Sequence, residues 1–361
     1  MLVVFPGFCA CLSAQSTLKD AYKNYFLIGA SLNRAHIVEE DKLGASLITT
    51  QFNTISPENT LKWESVHPQP DRYNFELSDR YVAFGEKYGM AIIGHTLIWH
   101  NQTPDWVFKD KKGNLVNRDE LLRRLRDHIQ TLVGLYKGKI KGWDVVNEAL
   151  NEDGTLRQSL WLKIIGKDFI DKAFQFAHEA DPKAELYYND YSLEIEPKLK
   201  GAIELVKHLR VANIPIRAIG LQCHSNLIFP TISQLDHAIS EFAKLGVKVN
   251  ITELDVNVLP DPDGFAGAEV TVSFATKEKL DPYRAGLPSA VQQNLANRYR
   301  DLFRTFLNHR KDIERVTFWN VTDRDSWLNN FPVRGRTNYP LLFDRKGKAK
   351  LAFDAVIQTA K

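Results

Sequence analysis

Short apolar runs rich in β-branched residues alternate along the chain with longer amphipathic segments. The runs predict eight strands and the amphipathic segments predict helices, an alternation that is typical of a parallel sheet with right-handed crossovers. An open doubly wound sheet competes, but it usually has a glycine-rich phosphate turn after its first strand, and none is present here. We therefore expect an α/β fold, a single-domain (β/α)8 TIM barrel. The predicted strands are 26–30, 46–52, 91–95, 142–146, 185–188, 218–222, 247–252 and 316–319, and the predicted helices are 118–136, 160–180, 198–212, 232–245 and 291–308.

Two of the predicted strands end in a glutamate. The fourth strand ends at Glu148, and the seventh ends at Glu253. Because parallel strands of a barrel present their carboxyl ends at one face, these two carboxylates should lie together. A pair of carboxylates is the minimum equipment for hydrolysis of a glycosidic bond. His224 could bond Glu253, and Asp255 lies on the same strand face as Glu253, which predicts an Asp–His–Glu network.

Several motifs follow one another at the predicted strand ends. In chain order they are Glu58-Asn59-x-x-Lys62-Trp63, Gly94-His95-Thr96-Leu97-x-Trp99-His100, Asn147-Glu148, Gln222-x-His224, Thr252-Glu253-Leu254-Asp255 and a tryptophan pair, Trp319 and Trp327. An Asn-Glu pair alone is a weak signal, whereas the combination is specific. From Asn24 to Lys361 the chain resembles the endo-β-1,4-xylanases of glycoside hydrolase family 10.

The resemblance implies a retaining mechanism with Glu148 as the acid/base and Glu253 as the nucleophile. It also implies that Asn147 bonds the 2-hydroxyl of the sugar being cleaved and that Gln222 lies beside the nucleophile, which His224 and Asp255 support. The residues implied to bind substrate are Glu58, Asn59, Lys62, His95, Trp99, Gln102, Tyr191, Trp319 and Trp327.

The substrate implied by the resemblance is xylan or a xylo-oligosaccharide, cut at internal β-1,4 bonds. Xylose lacks a hydroxymethyl group at C5, so a wall formed by Trp319, Trp327 and Gln102 would exclude glucose by steric clash. Asn320 stands where the family most often has glycine, and it should either narrow this wall or bond a neighbouring loop. Two alternatives stay open, a β-1,4-glucanase on the same barrel and a non-catalytic glycan-binding protein. The intact glutamate pair disfavours the second.

Composition narrows the possible partners and cofactors. The 361 residues carry a formal net charge of +3 without a dense Lys/Arg tract, which argues against nucleic acid. No metal or other cofactor is expected, because no His/Asp/Glu set has recognisable metal-ligand spacing. We expect a monomer. A long irregular stretch at about 258–288 follows the seventh strand and should flank the substrate at the barrel mouth.

The first fourteen residues differ from the rest of the chain. Residues 1–14 are apolar and end in Leu-Ser-Ala, like the back half of a secretory signal without its positively charged start, and they are too short to span a bilayer. We expect a truncated leader, an exported protein and a catalytic domain over 15–361. Only Cys223 lies in that domain, so no intrachain disulfide is expected.

Overall fold

The computed structural model describes residues 16–263, 265, 273–275 and 277–361. The expected leader at 1–14 lies outside the described residues, as does part of the loop at about 258–288. Within that loop the described residues include a short 3₁₀ turn, Glu278–Leu280, and a bridge from Phe274 to Val333.

A parallel sheet forms the centre of the molecule. In the described part of the chain its strands are β1 Leu27–Leu32, β2 Thr54–Pro57, β3 Ala91–Ile98, β4 Gly142–Asn147, β5 Glu185–Asp190, β6 Ala218–Leu221, β7 His224–Asn226, β8 Lys248–Asn257 and β9 Ile313–Phe318. The strand order is β6-β5-β4-β3-β2-β1-β9-β8-β7. Because β6 also pairs with β8, the sheet closes on itself, and β7 is a short addition alongside β8. The predicted (β/α)8 barrel is confirmed.

Helices connect the strands and cover the outside of the barrel. Among the described residues they are α1 Leu18–Ala21, α2 Arg34–Ile37, α3 Lys42–Gln51, α4 Trp63–Val66, α5 Glu76–Lys87, α6 Arg118–Leu135, α7 Leu160–Ile165, α8 Phe169–Ala180, α9 Glu196–Val211, α10 Ile232–Lys244, α11 Ser289–Asn308 and α12 Leu351–Thr359. Hydrogen bonds to N-cap side chains fix where several of these helices begin. The Asn117 side chain accepts the Glu120 N–H at 2.9 Å at the start of α6, and Thr231 and Gln234 form a capping box at α10.

The core lies between the barrel and its helices. α6 buries Leu121, Leu125, Ile129 and Leu132 on one face, and every residue of β4 is buried. Burial of each of these leucine and isoleucine side chains stabilises the fold by about 1.5–3 kcal/mol relative to the exposed side chain. Every described helix is too short or too polar to cross a membrane.

Two of the predicted elements differ from the structure. The predicted strand 46–52 is wrong, because these residues mostly belong to α3, where Gly44, Ala45 and Ile48 are buried at helical spacing. The true strand, β2, begins at Thr54. The predicted helix 160–180 is two helices, since Gly166 adopts a φ of 102° that ends α7 before α8 begins.

Candidate active site

All of the predicted site residues meet at the carboxyl ends of the barrel strands. One cavity of about 280 Å³ is lined by Glu58, Asn59, Lys62, His95, Trp99, Gln102, Asn147, Glu148, Gln222, His224, Glu253, Trp319 and Trp327. The other two predicted residues, Tyr191 and Asp255, line an adjoining cavity that shares His224 and Trp327. The long loop contributes Asp261 and Phe265 to this second cavity.

Glu148 directly follows β4 and is buried. Its Oε2 accepts a hydrogen bond from Trp99 Nε1 at 2.8 Å, and its Oε1 accepts one from Gln222 Nε2 at 3.0 Å. Burial, with the negative charge of Asp190 as the next cause, raises the pKa of Glu148 to about 7. A carboxyl group with this pKa is partly protonated near neutral pH, which is what a general acid requires.

Glu253 lies within β8, and its pKa is shifted in the opposite direction to that of Glu148. Burial disfavours its ionised form, but the hydrogen bond from His224, the charges of His95 and His224, and the hydrogen bond from Asn189 together outweigh burial and bring the pKa of Glu253 below its ordinary value. Asn189 Nδ2 donates to Oε1 at 2.8 Å, and His224 Nε2 lies 3.3 Å from Oε2. Glu253 is therefore ionised near neutral pH, as a nucleophile must be.

His224 connects two carboxylates. Its Nδ1 lies 3.1 Å from Asp255 Oδ1, and its Nε2 contacts Glu253. Burial alone would lower the pKa of His224, but the charge of Asp255 and the hydrogen bonds to both carboxylates raise it to about 10. Trp327 Nε1 donates to the other oxygen of Asp255 at 2.7 Å. The Asp–His–Glu network expected from the sequence is present, with a protonated imidazole at its centre.

Side-chain amides join the two glutamates. Asn189 Nδ2 donates to Asn147 Oδ1 at 2.9 Å as well as to Glu253. Asn147 Oδ1 also accepts from Gln222 Nε2 at 3.3 Å, and Gln222 is bonded to Glu148. These contacts fix the position of the two carboxyl groups relative to each other. Their different environments separate their pKa values, and such a separation is what allows one carboxyl to act as an acid and the other as a base or nucleophile.

A buried lysine lies on another side of the same cavity. Lys62 Nζ donates to Asn59 Oδ1 at 2.9 Å and to Gln102 Oε1 at 2.8 Å, and it lies 4.7 Å from the centre of the Trp99 ring. Burial lowers the pKa of Lys62. Gln102 in turn donates to Glu64 at 2.8 Å. These groups offer donors and acceptors for hydroxyl groups in a concave, largely buried pocket.

Aromatic rings form further walls of the cavity. The Trp319 ring meets the ring of His95 edge-on at 5.6 Å, and His95 Nδ1 is fixed by Asp144 Oδ2 at 2.9 Å. Trp327 stacks on Phe331 with ring centres 4.4 Å apart. Rigid indole rings of this kind stack well against the C–H faces of sugars.

Asn320 supports this wall from behind. It is fully buried with a φ of 85°, its N–H donates to Ser31 Oγ at 2.7 Å, and its Oδ1 accepts the N–H of Trp327 at 3.2 Å. Asn320 therefore bonds a neighbouring loop, the second of the two outcomes expected for it. Beside it, burial raises the pKa of Glu58.

Comparison with known proteins agrees with this geometry. The sequence profile of glycosyl hydrolase family 10 matches residues 17–359. The chain belongs to this family. It is 44% identical over 357 residues to endo-1,4-beta-xylanase A of Xylanibacter ruminicola, covering 99% of this chain and 96% of the relative. It is 41% identical to the beta-1,4-xylanase of Dictyoglomus thermophilum, covering 95% and 90%. A solved GH10 endoxylanase from a sugarcane soil metagenome superposes with a TM-score of 0.92 at 44% identity, covering 94% of this chain and 99% of that one.

Three polar residues around the glutamate pair were not among the predicted site residues of this family 10 chain. Asn189 bonds Glu253, Asp144 fixes His95, and Asp190 lies close enough to raise the Glu148 pKa. Asn189 and Asp190 end β5, so the rule that polar residues at strand ends face the site could have found them. Asp144 lies inside β4, where no sequence signal distinguishes it.

One group of possible metal ligands comes together within the described residues, His36, Asp41 and Asp325. Their chemistry does not fit a metal ion. The Arg324 guanidinium already contacts both carboxylates. His36 Nδ1 accepts the backbone N–H of Asn33 at 3.3 Å, so the ring proton lies on Nε2, the atom that would have to coordinate the metal.

Proposed function

We propose that this chain is an endo-1,4-β-xylanase that cleaves internal β-1,4 bonds of xylan and retains the configuration at the anomeric carbon. The observation that carries the proposal is the pair of buried glutamates, Glu148 with its pKa raised to about 7 and Glu253 with its pKa lowered. Family membership and the xylanase relatives support the same activity.

The first chemical step forms a covalent intermediate. The Glu253 carboxylate attacks the anomeric carbon, the bond to the leaving sugar breaks, and Glu148 gives its proton to the departing oxygen. His224 keeps its two N–H donors on Asp255 and Glu253, which holds the nucleophile ionised and oriented.

The second step reverses the proton transfer. Glu148, now ionised, takes a proton from a water molecule whose oxygen attacks the same carbon, and the bond to Glu253 breaks. Two inversions give net retention. Asn147 lies between the two carboxyls, where its amide can bond the 2-hydroxyl and strengthen that contact as charge develops on the ring.

Xylose specificity is assigned to Trp319, Trp327 and Gln102. A hydroxymethyl group on C5 would clash with this wall, whereas xylose has only hydrogen there. A β-1,4-glucanase is the alternative that would keep the same carboxylates and change only the wall. We further propose that the protein acts as a monomer, that it is exported, and that the loop at about 258–288 flanks the substrate.

The test is reducing-sugar release from glucuronoxylan, arabinoxylan, carboxymethylcellulose and mixed-linkage glucan. Wild type should act on the two xylans, and Glu253→Ala should lose turnover while it still binds them. Glu185→Ala is a matched control, because Glu185 begins β5 at the opposite end of the barrel. Activity chiefly on the glucans would overturn the assignment of xylan as the substrate. Turnover by Glu253→Ala would overturn the assignment of Glu253 as the nucleophile.

A further inference from the structure

A lysine is fully buried beneath the segment that carries Glu148. The Lys198 side chain, on α9, has no exposed surface. Its Nζ lies 2.9 Å from Asp190 Oδ1, 3.3 Å from Glu152 Oε1 and 3.5 Å from the centre of the Tyr191 ring. A buried charge of this kind is strongly unfavourable unless it is paired, and Asp190 supplies the pairing charge here.

The other oxygen of Asp190 is bonded to the backbone beside Glu148. Asp190 Oδ2 accepts the Tyr188 hydroxyl at 2.6 Å and the Leu150 N–H at 3.4 Å. The Tyr188 hydroxyl accepts the Ala149 N–H at 3.1 Å. The ion pair is thus connected to the two residues that directly follow Glu148.

We propose that Lys198 is a positioning residue for the general acid: it keeps Asp190 ionised and fixed beneath Glu148, so that Glu148 holds the proton it must deliver. This inference rests on the proposed function. It assigns a role to a residue that does not line the catalytic cavity and that contacts neither glutamate of the pair.

The electrostatic balance around Asp190 supports this role. Burial raises the pKa of Asp190, and the charge of Lys198 is the largest effect that opposes burial. Without Lys198 the buried Asp190 would take up a proton. The Glu148 pKa would then fall, because the charge of Asp190 is the largest cause, after burial, that raises it.

Other charged and titratable groups surround these three residues. The groups that act on Glu148 or contact its segment are Glu253, Lys62, Tyr188, Tyr191 and Arg157. The groups around Asp190 and Lys198 are Glu152, Glu194, Tyr188 and Arg157. Glu253 also raises the Glu148 pKa, but by less than Asp190 does. The variants below leave all of these other groups in place.

The experiment measures kcat/KM on a soluble xylo-oligosaccharide against pH for Lys198→Met, Asp190→Asn and the double variant. The alkaline limb of this profile reports the acid in the free enzyme. We expect it to move to lower pH by about one unit in each variant, and by no more in the double variant than in Asp190→Asn alone. The double variant removes both charges and leaves neither unpaired, so it folds even where Lys198→Met does not.

A matched control is available on the far side of the site. Lys350 and Asp323 form another buried pair at 2.9 Å, bonded to the backbone of Leu341 and Tyr339. The Lys350→Met/Asp323→Asn variant should lose stability as the test variant does but keep the alkaline limb of wild type.

The outcomes separate the inference from the proposed function. An unmoved alkaline limb in the folded Lys198→Met/Asp190→Asn variant, or a limb that moves to higher pH in Lys198→Met, would overturn the role of Lys198 and leave the xylanase intact. A wild-type protein without activity on xylo-oligosaccharides would overturn the proposed function itself.

Discussion

Trp99 Nε1 donates a hydrogen bond of 2.8 Å to Glu148 Oε2. The sequence motifs predict Trp99 as a substrate-binding residue, and it does line the cavity, but its indole N–H is directed at the Glu148 carboxyl. Lys62 Nζ lies over one face of the ring. Trp99 therefore orients the carboxyl group that we propose as the acid/base, in addition to any contact with sugar.

Trp99→Phe should lower activity and shift its pH dependence. The lost N–H favours the ionised form of Glu148, so its removal raises the Glu148 pKa and moves the alkaline limb of kcat/KM to higher pH. A hydrogen bond to a charged group contributes about 1.5–3 kcal/mol, so kcat/KM should fall about tenfold or more. Trp106→Phe is the control, because Trp106 lies in the 3₁₀ helix Asp105–Val107 and does not line the cavity. Equal activity of Trp99→Phe and wild type would refute this role.

His224→Gln should move the acidic limb of the kcat/KM profile to higher pH. The imidazole hydrogen bond is the largest effect that lowers the Glu253 pKa, so its loss raises that pKa and the nucleophile protonates earlier as the pH falls. A profile of kcat/KM on xylo-oligosaccharides from acid to neutral pH measures this. An acidic limb that stays in place would show that His224 does not control the ionisation of Glu253.

His224 should also make stability depend on pH. Its folded-state pKa of about 10 exceeds the ordinary value of 6.5, so the folded protein holds a proton that the unfolded chain releases between these two values. The stabilisation is complete below the unfolded pKa and is lost as the pH rises through about 10. The difference in unfolding free energy between wild type and His224→Gln should narrow from about pH 6 to about pH 9.5 in urea titrations. A constant difference would mean that folding does not shift the His224 pKa.

Asn320→Gly should weaken substrate binding with little effect on folding. Glycine suits the φ of 85°, which offsets the loss of the amide, so the change in unfolding free energy should be within about 1 kcal/mol. The loop that carries Trp327 loses its bond to Asn320 Oδ1, so KM should rise while kcat holds. Asn320→Ala lacks both the amide and the conformational freedom of glycine, so it should be less stable than wild type and than Asn320→Gly. An unchanged KM in Asn320→Gly would show that Asn320 does not position the Trp327 wall for substrate binding.

The fold and the lining of the site could be predicted from the sequence because both depend on local patterns. Apolar runs locate strands, and in a parallel barrel the residue that ends each run faces the common site, which correctly predicted that Glu148 and Glu253 lie together. The pattern failed at 46–52, where β-branched residues occupy a helix whose buried face is short. Local composition does not distinguish such a helix from a buried strand.

The pairings inside the site could not be predicted, because they join residues far apart in the chain. Nothing near Lys198 indicates that a lysine on an outer helix reaches beneath β5 to Asp190. Likewise, the motif that contains Trp99 does not reveal whether its N–H bonds a sugar or Glu148. These contacts depend on side-chain directions that only the packed barrel fixes.

The stereochemistry of hydrolysis tests the central claim most directly. Proton NMR of xylohexaose during hydrolysis by the wild-type enzyme distinguishes the anomer released first from the one produced later by mutarotation. If Glu253 is the nucleophile and Glu148 the acid/base, the β-anomer appears first and the α-anomer follows slowly. Initial release of the α-anomer would mean a single displacement by water, and it would contradict both the nucleophile role of Glu253 and the second-step base role of Glu148.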